Sequence, residues 1–176
     1  MMRDRYIEYL KTVRRYSPRS CEIYAGVLDD YFTFSGYDAS EDEASYMTVQ
    51  CIRAYEVHLM DEKRESARTV ALHLSALSGF CRFLMKEGVL GSNPVRLVKK
   101  PRQEKRLPEF FRRDTMDKYF SDTAAVPEYG SYDAVLNRLI VSLLYCTGMR
   151  RAELASLNRC SLDDGRRVIR VVGKGG

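Results

Sequence analysis

Apolar residues recur at helical spacing through the amino-terminal half of the chain and predict four helices. The first helix is short and ends before Ser17-Pro18, because a serine N-cap followed by proline at the first helical position begins a second helix. Gly36 is placed to end that second helix, and Thr48 is placed to cap the third. The apolar positions that indicate these three helices are Ile7, Leu10 and Val13, then Ile23, Val27, Tyr31 and Phe34, then Ile52, Tyr55 and Leu59.

The fourth helix has the clearest pattern, and Gly88 is placed to end it. Its apolar positions follow one another at steps of four and three, as on the buried face of an amphipathic helix: Val70, Leu74, Leu77, Cys81 and Leu84. The other face is polar and basic, with Arg68, His73, Ser75, Ser78, Arg82 and Lys86. On pattern alone, that second face is an ordinary solvated surface.

A change in composition follows the fourth helix. Asn93-Pro94 interrupts helical structure, and Pro101 and Pro108 favour an extended chain. The basic residues of this stretch are Arg96, Lys99, Lys100, Arg102, Lys105 and Arg106. Its composition predicts a linker over 93–110 between a helical domain at 1–92 and a second domain at 111–176. A basic linker of this kind can be a solvated tether, and it is also suited to lying along a phosphate backbone.

The second block predicts helices followed by a hairpin. Asp114 is a candidate cap for a short helix through Phe120, and a more apolar helix runs up to Thr147-Gly148. A further helix begins at Arg150, and a strand over 168–172 follows the turn signal Asp163-Asp164-Gly165. The fold class is therefore mainly α, with a partial α+β domain that ends at the start of a β-hairpin. An end at that point favours a fragment of a longer protein.

Composition narrows the class of partner. The formal net charge is +5 over 176 residues, and this mild excess favours polyanions over acidic partners. The five cysteines are scattered and form no C-x-x-C pair, so neither a zinc site nor a disulfide framework is predicted. We therefore expect no metal. We also expect a cytoplasmic protein, because the chain lacks an apolar run typical of a signal peptide or a membrane span.

The stretch Leu143 to Leu154, which reads L-L-Y-C-T-G-M-R-R-A-E-L, resembles the first active-site box of the tyrosine recombinase family of phage integrases and Xer-type enzymes. Val171-Val172-Gly173-Lys174-Gly175 is similar to the motif that follows on the family's β-hairpin. Weaker matches cover most of the remaining chain. These are Ser17 to Tyr24, Thr69 to Phe80, Asn93-Pro94 and Leu107-Pro108.

The resemblance implies a DNA strand-exchange chemistry. In the family a tyrosine attacks a DNA phosphodiester and forms a covalent phosphotyrosine, while fixed cations stabilise the charge on the non-bridging oxygens. By the match, Arg150 is the first catalytic arginine and Glu153 holds its guanidinium in place. Lys174 would supply the proton for the departing 5′-hydroxyl. No metal or organic cofactor is implied.

The resemblance also implies the partners. The amino-terminal block would be a four-helix SAM-like core-binding domain that, with the catalytic domain, closes around double-stranded DNA. Its second and fourth helices would face the duplex, and other recombinase protomers would join in the complete enzyme. The candidate DNA contacts are Arg19, Ser20, Arg68, Thr69, His73 and Ser75 on the helices, and Lys99, Lys100, Arg102, Lys105 and Arg106 in the linker.

Several parts of the family's active site have no counterpart in these residues. The family has a later H-x-x-R box and a tyrosine nucleophile near the carboxyl end, but neither His58 nor His73 begins such a box. All twelve tyrosines precede Lys174, and none is assigned as nucleophile. We therefore expect this chain to bind DNA without cleaving it.

Three classes of function remain open at this point. The chain is part of a recombinase whose other residues lie beyond Gly176, or a naturally shortened relative that binds recombination sites as a competitor. The third class is a helical interaction module of another family that matches the box by chance. Salt-dependent binding to duplex DNA separates the first two classes from the third.

Overall fold

The computed structural model describes residues 1–99, 101–102, 109–123 and 131–173. The chain divides into two compact units, Met1–Arg106 and Leu107–Gly176. Helices dominate both units, and a short antiparallel hairpin lies in the second. The predicted class, mainly α with a partial α+β second domain, is confirmed.

Four helices build the first unit, as predicted. In chain order they are α1 (Met2–Thr12), α2 (Pro18–Phe34), α3 (Val49–Val57) and α4 (Ala67–Lys86). A single π turn at His58–Glu62 continues α3, and short 3-10 helices lie at Glu43–Tyr46 and Pro94–Leu97.

The helix ends follow the sequence signals closely. The Ser17 hydroxyl accepts a hydrogen bond from the Ser20 amide at 3.2 Å, and the Thr48 hydroxyl accepts one from the Cys51 amide at 3.2 Å. Gly36 and Gly88 follow α2 and α4 with φ angles of +67° and +75°. Positive φ costs glycine little, so these residues end the helices without backbone strain.

Helix α4 provides the centre of the core. Its five predicted apolar positions are all fully buried. Aromatic side chains from the other three helices surround them, chiefly Tyr6, Tyr31, Phe32 and Tyr55. The buried stripe of α2 differs from the prediction at one end, because Phe32 is buried whereas Phe34 is 36% exposed. Phe34 is the last residue of α2, and its ring stacks on His58 with 4.6 Å between the centroids.

A buried ion pair ties α1 to the loop after α2. Glu43, at the start of the 3-10 helix after α2, is 3% exposed, and its carboxylate accepts hydrogen bonds from the Arg3 backbone amide at 2.9 Å and from Arg3 Nε at 2.8 Å. The Arg3 guanidinium also lies 4.7 Å from the centroid of the Phe32 ring. Sequence periodicity gives no sign of this pair, because its members lie on separate elements.

The helical unit extends further than residue 92. The Asn93 side-chain amide donates to the Ser78 hydroxyl at 2.9 Å, and Asn93 Oδ1 accepts from the Val95 amide at 3.1 Å. Val95 and Val98 are buried in the same core as α4. The first residues of the predicted 93–110 linker are therefore part of the folded helical unit.

The second unit contains three helices and two short strands in its described part. They are α5 (Arg113–Asp122), α6 (Tyr132–Thr147) and α7 (Arg151–Ala155), then β1 (Leu162–Asp163) and β2 (Val168–Ile169). The strands are antiparallel, with Leu162 opposite Ile169.

Two boundary predictions for this unit are wrong. Arg112, not Asp114, is the N-cap of α5, and Asp114 lies in the first turn, where its charge still favours the helix dipole. The strand ends at Ile169 instead of Val172, since β1 offers only two residues for pairing. None of the described residues in this unit's helices is fully buried.

We predict that Glu43→Ala lowers the free energy of unfolding by about 2 kcal/mol, because it leaves the half-buried Arg3 guanidinium without its buried carboxylate partner. The loss of stability stays below the largest values for buried ion pairs, because Arg3 keeps its ion pair with Asp29 at 3.1 Å. Urea denaturation followed by circular dichroism measures the change. Glu8→Ala, at an exposed position of α1, is the matched control and should change stability by less than about 0.5 kcal/mol. Equal effects of the two substitutions would contradict the assignment.

Candidate functional site

Helices α2 and α4 begin with the same local arrangement. Each starts at a serine N-cap, carries an arginine at its second helical position and a hydroxyl at its third, in the sequences Ser17-Pro18-Arg19-Ser20 and Ser66-Ala67-Arg68-Thr69. The cap hydroxyl lies 2.9 Å from the third-position hydroxyl in both helices. Ser20 and Thr69 are therefore half-buried parts of the helix caps.

The two arginines of this arrangement point to solvent. Arg19 forms an ion pair with Glu22 at 3.1 Å, but both side chains are largely exposed, so the pair contributes little. Arg68 is exposed and makes no ion pair within the residues that the structure describes. Both guanidinium groups stand at the positive ends of long helices, where a helix attracts anions. Each helix start thus combines the partial positive charge of the helix dipole with the full positive charge of an arginine.

His73 does not share the exposed face predicted for it. It is buried, and its Nδ1 lies 2.8 Å from the Tyr55 hydroxyl. Burial lowers the pKa of His73, so the ring is neutral at physiological pH. We therefore correct the prediction for this residue: His73 joins α3 to α4 inside the core, and it drops out of the candidate contact set. The sequence did contain a signal for this burial, because His73 lies three residues after Val70 and that spacing places both on one face of a helix.

The remaining predicted contacts fall into two groups. Ser75 is half-buried and its hydroxyl donates to the Ala71 carbonyl oxygen at 2.6 Å. In the linker, Lys99 and Arg102 are exposed. Lys100, Lys105 and Arg106 lie outside the described residues.

Arg150 occupies the start of α7, directly after a tight turn. Gly148 ends α6 with a φ of +65°, and the Thr147 hydroxyl accepts a hydrogen bond from the Met149 amide at 3.3 Å. Arg150 is then the N-cap of α7 in an extended conformation. The turn separates α6 from α7 and leaves the Arg150 side chain 73% exposed.

Glu153 holds Arg150 at two points. One carboxylate oxygen accepts from the Arg150 backbone amide at 2.8 Å, and the other accepts from Nη1 at 2.6 Å. The Glu153 side chain is 11% exposed, so it lies beneath the guanidinium instead of competing for solvent. The remaining donors of the guanidinium make no hydrogen bond within the described part of the chain. The arrangement presents a fixed cation with free donors to the surroundings.

The Arg150 contacts also fix the charge of Glu153. The hydrogen bond from the Arg150 backbone amide, aided by the side-chain hydrogen bond, holds the pKa of Glu153 below its ordinary value of 4.5. The carboxylate is therefore ionised at neutral pH and can act as an anchor for the guanidinium. Lys174, the other predicted catalytic cation, lies outside the described residues.

Neither a metal-ligand cluster nor a membrane-spanning helix is present among the described residues. No cluster of three or more His, Cys, Asp or Glu side chains there is arranged to hold a metal ion. Among the same residues, no helix has both the length and the apolar character needed to cross a membrane.

Comparison with known proteins gives one consistent family. The model of the phage integrase N-terminal SAM-like domain matches residues 4–88. The chain is 34% identical to tyrosine recombinase XerC of Bacillus pumilus (strain SAFR-032), over 97% of this chain and 54% of that protein. Tyrosine recombinase XerC of Bacillus subtilis (strain 168) is 33% identical with the same two coverages. The chain thus spans about half the length of the curated relatives it matches.

A solved structure shares the fold. The integrase from mycobacterium phage Brujita matches 99% of this chain and 54% of its own chain, with a TM-score of 0.52 and 22% sequence identity. At that identity the likeness concerns the fold alone. The sequence matches carry the relationship further, since they run through both units, including the box around Arg150. Residues 4–88 thus match the phage integrase N-terminal SAM-like domain, and the similarity to tyrosine recombinases extends over 97% of the chain.

Proposed function

We propose that this chain binds duplex DNA and carries the first part of a recombinase active site, for site-specific cleavage and rejoining of DNA strands. The observation that carries the proposal is the similarity to XerC recombinases over 97% of the chain, which includes a fixed and exposed Arg150. In the complete enzyme the reaction would pass through a phosphotyrosine intermediate.

DNA binding rests on the arginines at the two helix starts. Arg19 and Arg68 combine exposed guanidinium groups with positive helix ends, which suits contact with backbone phosphates. An α-helix also fits the major groove of B-DNA, so residues near either helix start can reach base edges. Ser20, Thr69 and Ser75 are proposed as shorter-range contacts beside them. Hydrogen bonds to the cap hydroxyls of Ser17 and Ser66 hold the Ser20 and Thr69 hydroxyls in place.

The linker cations extend the proposed interface. Lys99 and Arg102 are exposed just beyond the folded end of the helical unit, with Val98 buried before them. Lys100, Lys105 and Arg106 would add to the same strip. Contacts of this type are made to phosphates and carry no sequence information, so they would position the duplex instead of selecting its sequence.

Arg150 is proposed as the catalytic arginine. Its free guanidinium donors can bind two oxygens of a phosphodiester at once, and they stay charged as negative charge accumulates on those oxygens. Glu153 is a positioning residue, because it holds the backbone and the side chain of Arg150 before any substrate arrives. A cation that is already oriented needs little reorganisation during the reaction, and this favours catalysis. Lys174 is proposed as the proton donor to the leaving 5′-hydroxyl.

For the chain itself we propose binding without strand cleavage. Its 176 residues contain two histidines, and neither begins an H-x-x-R box. The tyrosines of the helical unit include two that are fully buried in its core, Tyr31 and Tyr55, where the hydroxyl cannot meet a phosphodiester. The alternative function, that of a shortened relative that competes for recombination sites, is proposed on the same property. Association with other recombinase protomers is part of the proposal for the complete enzyme.

We predict that the purified chain binds duplex DNA with an affinity that falls as salt rises. In Lys99→Ala/Arg102→Ala the slope of log K against log salt should become shallower by about 2, since each lost phosphate contact removes about 0.9. Lys11→Ala/Lys63→Ala removes the same charge elsewhere and should leave the slope near its original value. A slope unchanged in the linker variant would refute the linker contact, and no binding at low salt would refute the proposed function.

We predict that Glu153 titrates below 4.5 in a carboxyl-detected NMR titration, because its hydrogen bonds to Arg150 favour the ionised form. The stability from this contact is present above the ordinary pKa and is lost as pH falls through the lowered one. Arg150→Ala removes the side-chain hydrogen bond but keeps the backbone amide, so it should move the pKa of Glu153 only part of the way back toward 4.5. Glu56 serves as an internal reference, since burial raises its pKa in the opposite direction. A pKa of Glu153 at or above that of Glu56 would rule out the anchor.

We predict that incubation of the chain with nicked duplex DNA gives no covalent protein–DNA product on a denaturing gel. The reason is that these 176 residues contain no H-x-x-R box to complete the set of catalytic cations. A complete tyrosine recombinase on its own nicked site is the positive control. A stable adduct that forms with this chain, and disappears in Arg150→Ala, would show that one of the twelve tyrosines is a nucleophile after all.

A further inference from the structure

A small polar cavity lies between α1, α2 and α4, away from the helix starts described above. Its volume is about 210 Å³. That is smaller than the pockets that hold drug-sized ligands and is suited to a small chemical group. Four tyrosines contribute to its walls: Tyr6, Tyr9, Tyr16 and Tyr24. The cavity lies wholly within the continuously described range 1–99.

The charge at this cavity is of one sign. Arg14, Arg82 and Lys86 line it and are all exposed, and no carboxylate is among the lining residues. Within the described residues none of the three forms an ion pair with a carboxylate. Lys86 Nζ instead lies 4.8 Å from the centroid of the Tyr9 ring. Three cations that line one cavity without a carboxylate among its lining residues favour an anionic ligand.

The tyrosine hydroxyls supply hydrogen-bond donors beside the cations. The rings of Tyr16 and Tyr24 meet edge to face, with 5.7 Å between their centroids. Burial raises the pKa of Tyr6 and of Tyr24, and the positive charge of Arg82 only partly opposes that effect. The hydroxyls therefore remain protonated at neutral pH. A protonated phenol can donate to an oxyanion.

Gly79 makes room for one of these hydroxyls. A Cβ atom at position 79 would lie 2.4 Å from the Tyr6 hydroxyl oxygen and 3.6 Å from the Tyr24 ring. Glycine is otherwise a poor residue for the middle of a helix as long as α4. The close approach of Tyr6 accounts for it. The shape of the cavity therefore depends on the missing side chain at this position.

The cavity continues the face of α4 that begins at Arg68. Arg68, Ser75 and Arg82 follow one another at intervals of seven residues, close to two helical turns, so they share one face. The distance along the helix from Arg68 to Arg82 is about 21 Å. This is shorter than one turn of B-DNA, which is about 34 Å. A duplex that contacts Arg68 can thus also reach the cavity.

We propose that this cavity binds a phosphate group, and that in the DNA complex the group is one phosphodiester of the duplex backbone. The cations would neutralise its charge, and the tyrosine hydroxyls would donate to its oxygens. The duplex as source of the phosphate rests on the proposed function. The contact lies beyond the interface at the helix starts, because it adds Arg14, which lies just after the end of α1.

Two variants test the cavity through duplex binding in a salt series. Arg82→Ala should weaken binding roughly tenfold, as for loss of a charged hydrogen bond, and should reduce the salt slope by about 0.9. Tyr24→Phe keeps all charges and should weaken binding about threefold with the slope unchanged. Lys11→Ala, an exposed cation of α1 that does not line the cavity, is the charge-matched control and should bind like the unsubstituted chain. Circular dichroism of each variant confirms that the helices are intact.

A titration with inorganic phosphate alone tests whether the cavity binds phosphate when no duplex is present. Saturable shifts of the Gly79 and Arg82 amide NMR signals, absent in Arg82→Ala, are expected. If the unsubstituted chain binds duplex while both variants bind equally well, the cavity proposal is overturned and the proposed function stands. If the unsubstituted chain binds no duplex, the proposed function fails together with the duplex as source. If phosphate produces no shifts either, the cavity holds no phosphate.

Discussion

The packing of α4 against aromatic side chains from α1, α2 and α3 is the interaction on which the first unit depends. Its five predicted apolar positions are fully buried, and Tyr6, Tyr31, Phe32 and Tyr55 reach it from the other helices. Burying side chains of this size supplies the main favourable term for a unit of about one hundred residues. The polar groups inside are satisfied in pairs, as with His73 and Tyr55, so the core carries no unpartnered side-chain polar atom in its described part.

Rigid helices matter for function because the candidate contacts lie at their ends and along one face. A serine cap fixes the start of α2 and of α4, and each cap sets an arginine at the same position of its helix. In the second unit the cation is placed differently. Arg150 lies outside a short helix and depends on a single carboxylate, Glu153, for its orientation. The two units therefore fix their basic groups in different ways, one through helix geometry and the other through a charged hydrogen bond.

The sequence predictions that the structure confirms depend on residues that lie close together in the sequence. The caps at Ser17 and Thr48, the glycine at Gly88 and the apolar stripe of α4 each depend on residues within a few positions of one another. The features that sequence missed join distant segments. Arg3 pairs with Glu43, and Asn93–Val98 packs on α4, and neither contact leaves a periodic trace. His73 turns inward to Tyr55, and only its spacing from Val70 hinted at burial. The Arg150–Glu153 contact was accessible to prediction because its partners are three residues apart.

The end of the helical unit at Val98 also determines where the domains of related proteins can be exchanged in engineered chimeras. Because Asn93, Val95 and Val98 belong to the core of the helical unit, a chimera joined at residue 92 would combine the α4 of one parent with the closing segment of the other. The two surfaces would have to match by chance. A junction placed after Val98 keeps α4 and its closing segment from the same parent, so each module carries a complete core of its own. The natural unit of exchange is thus longer than the helices alone suggest.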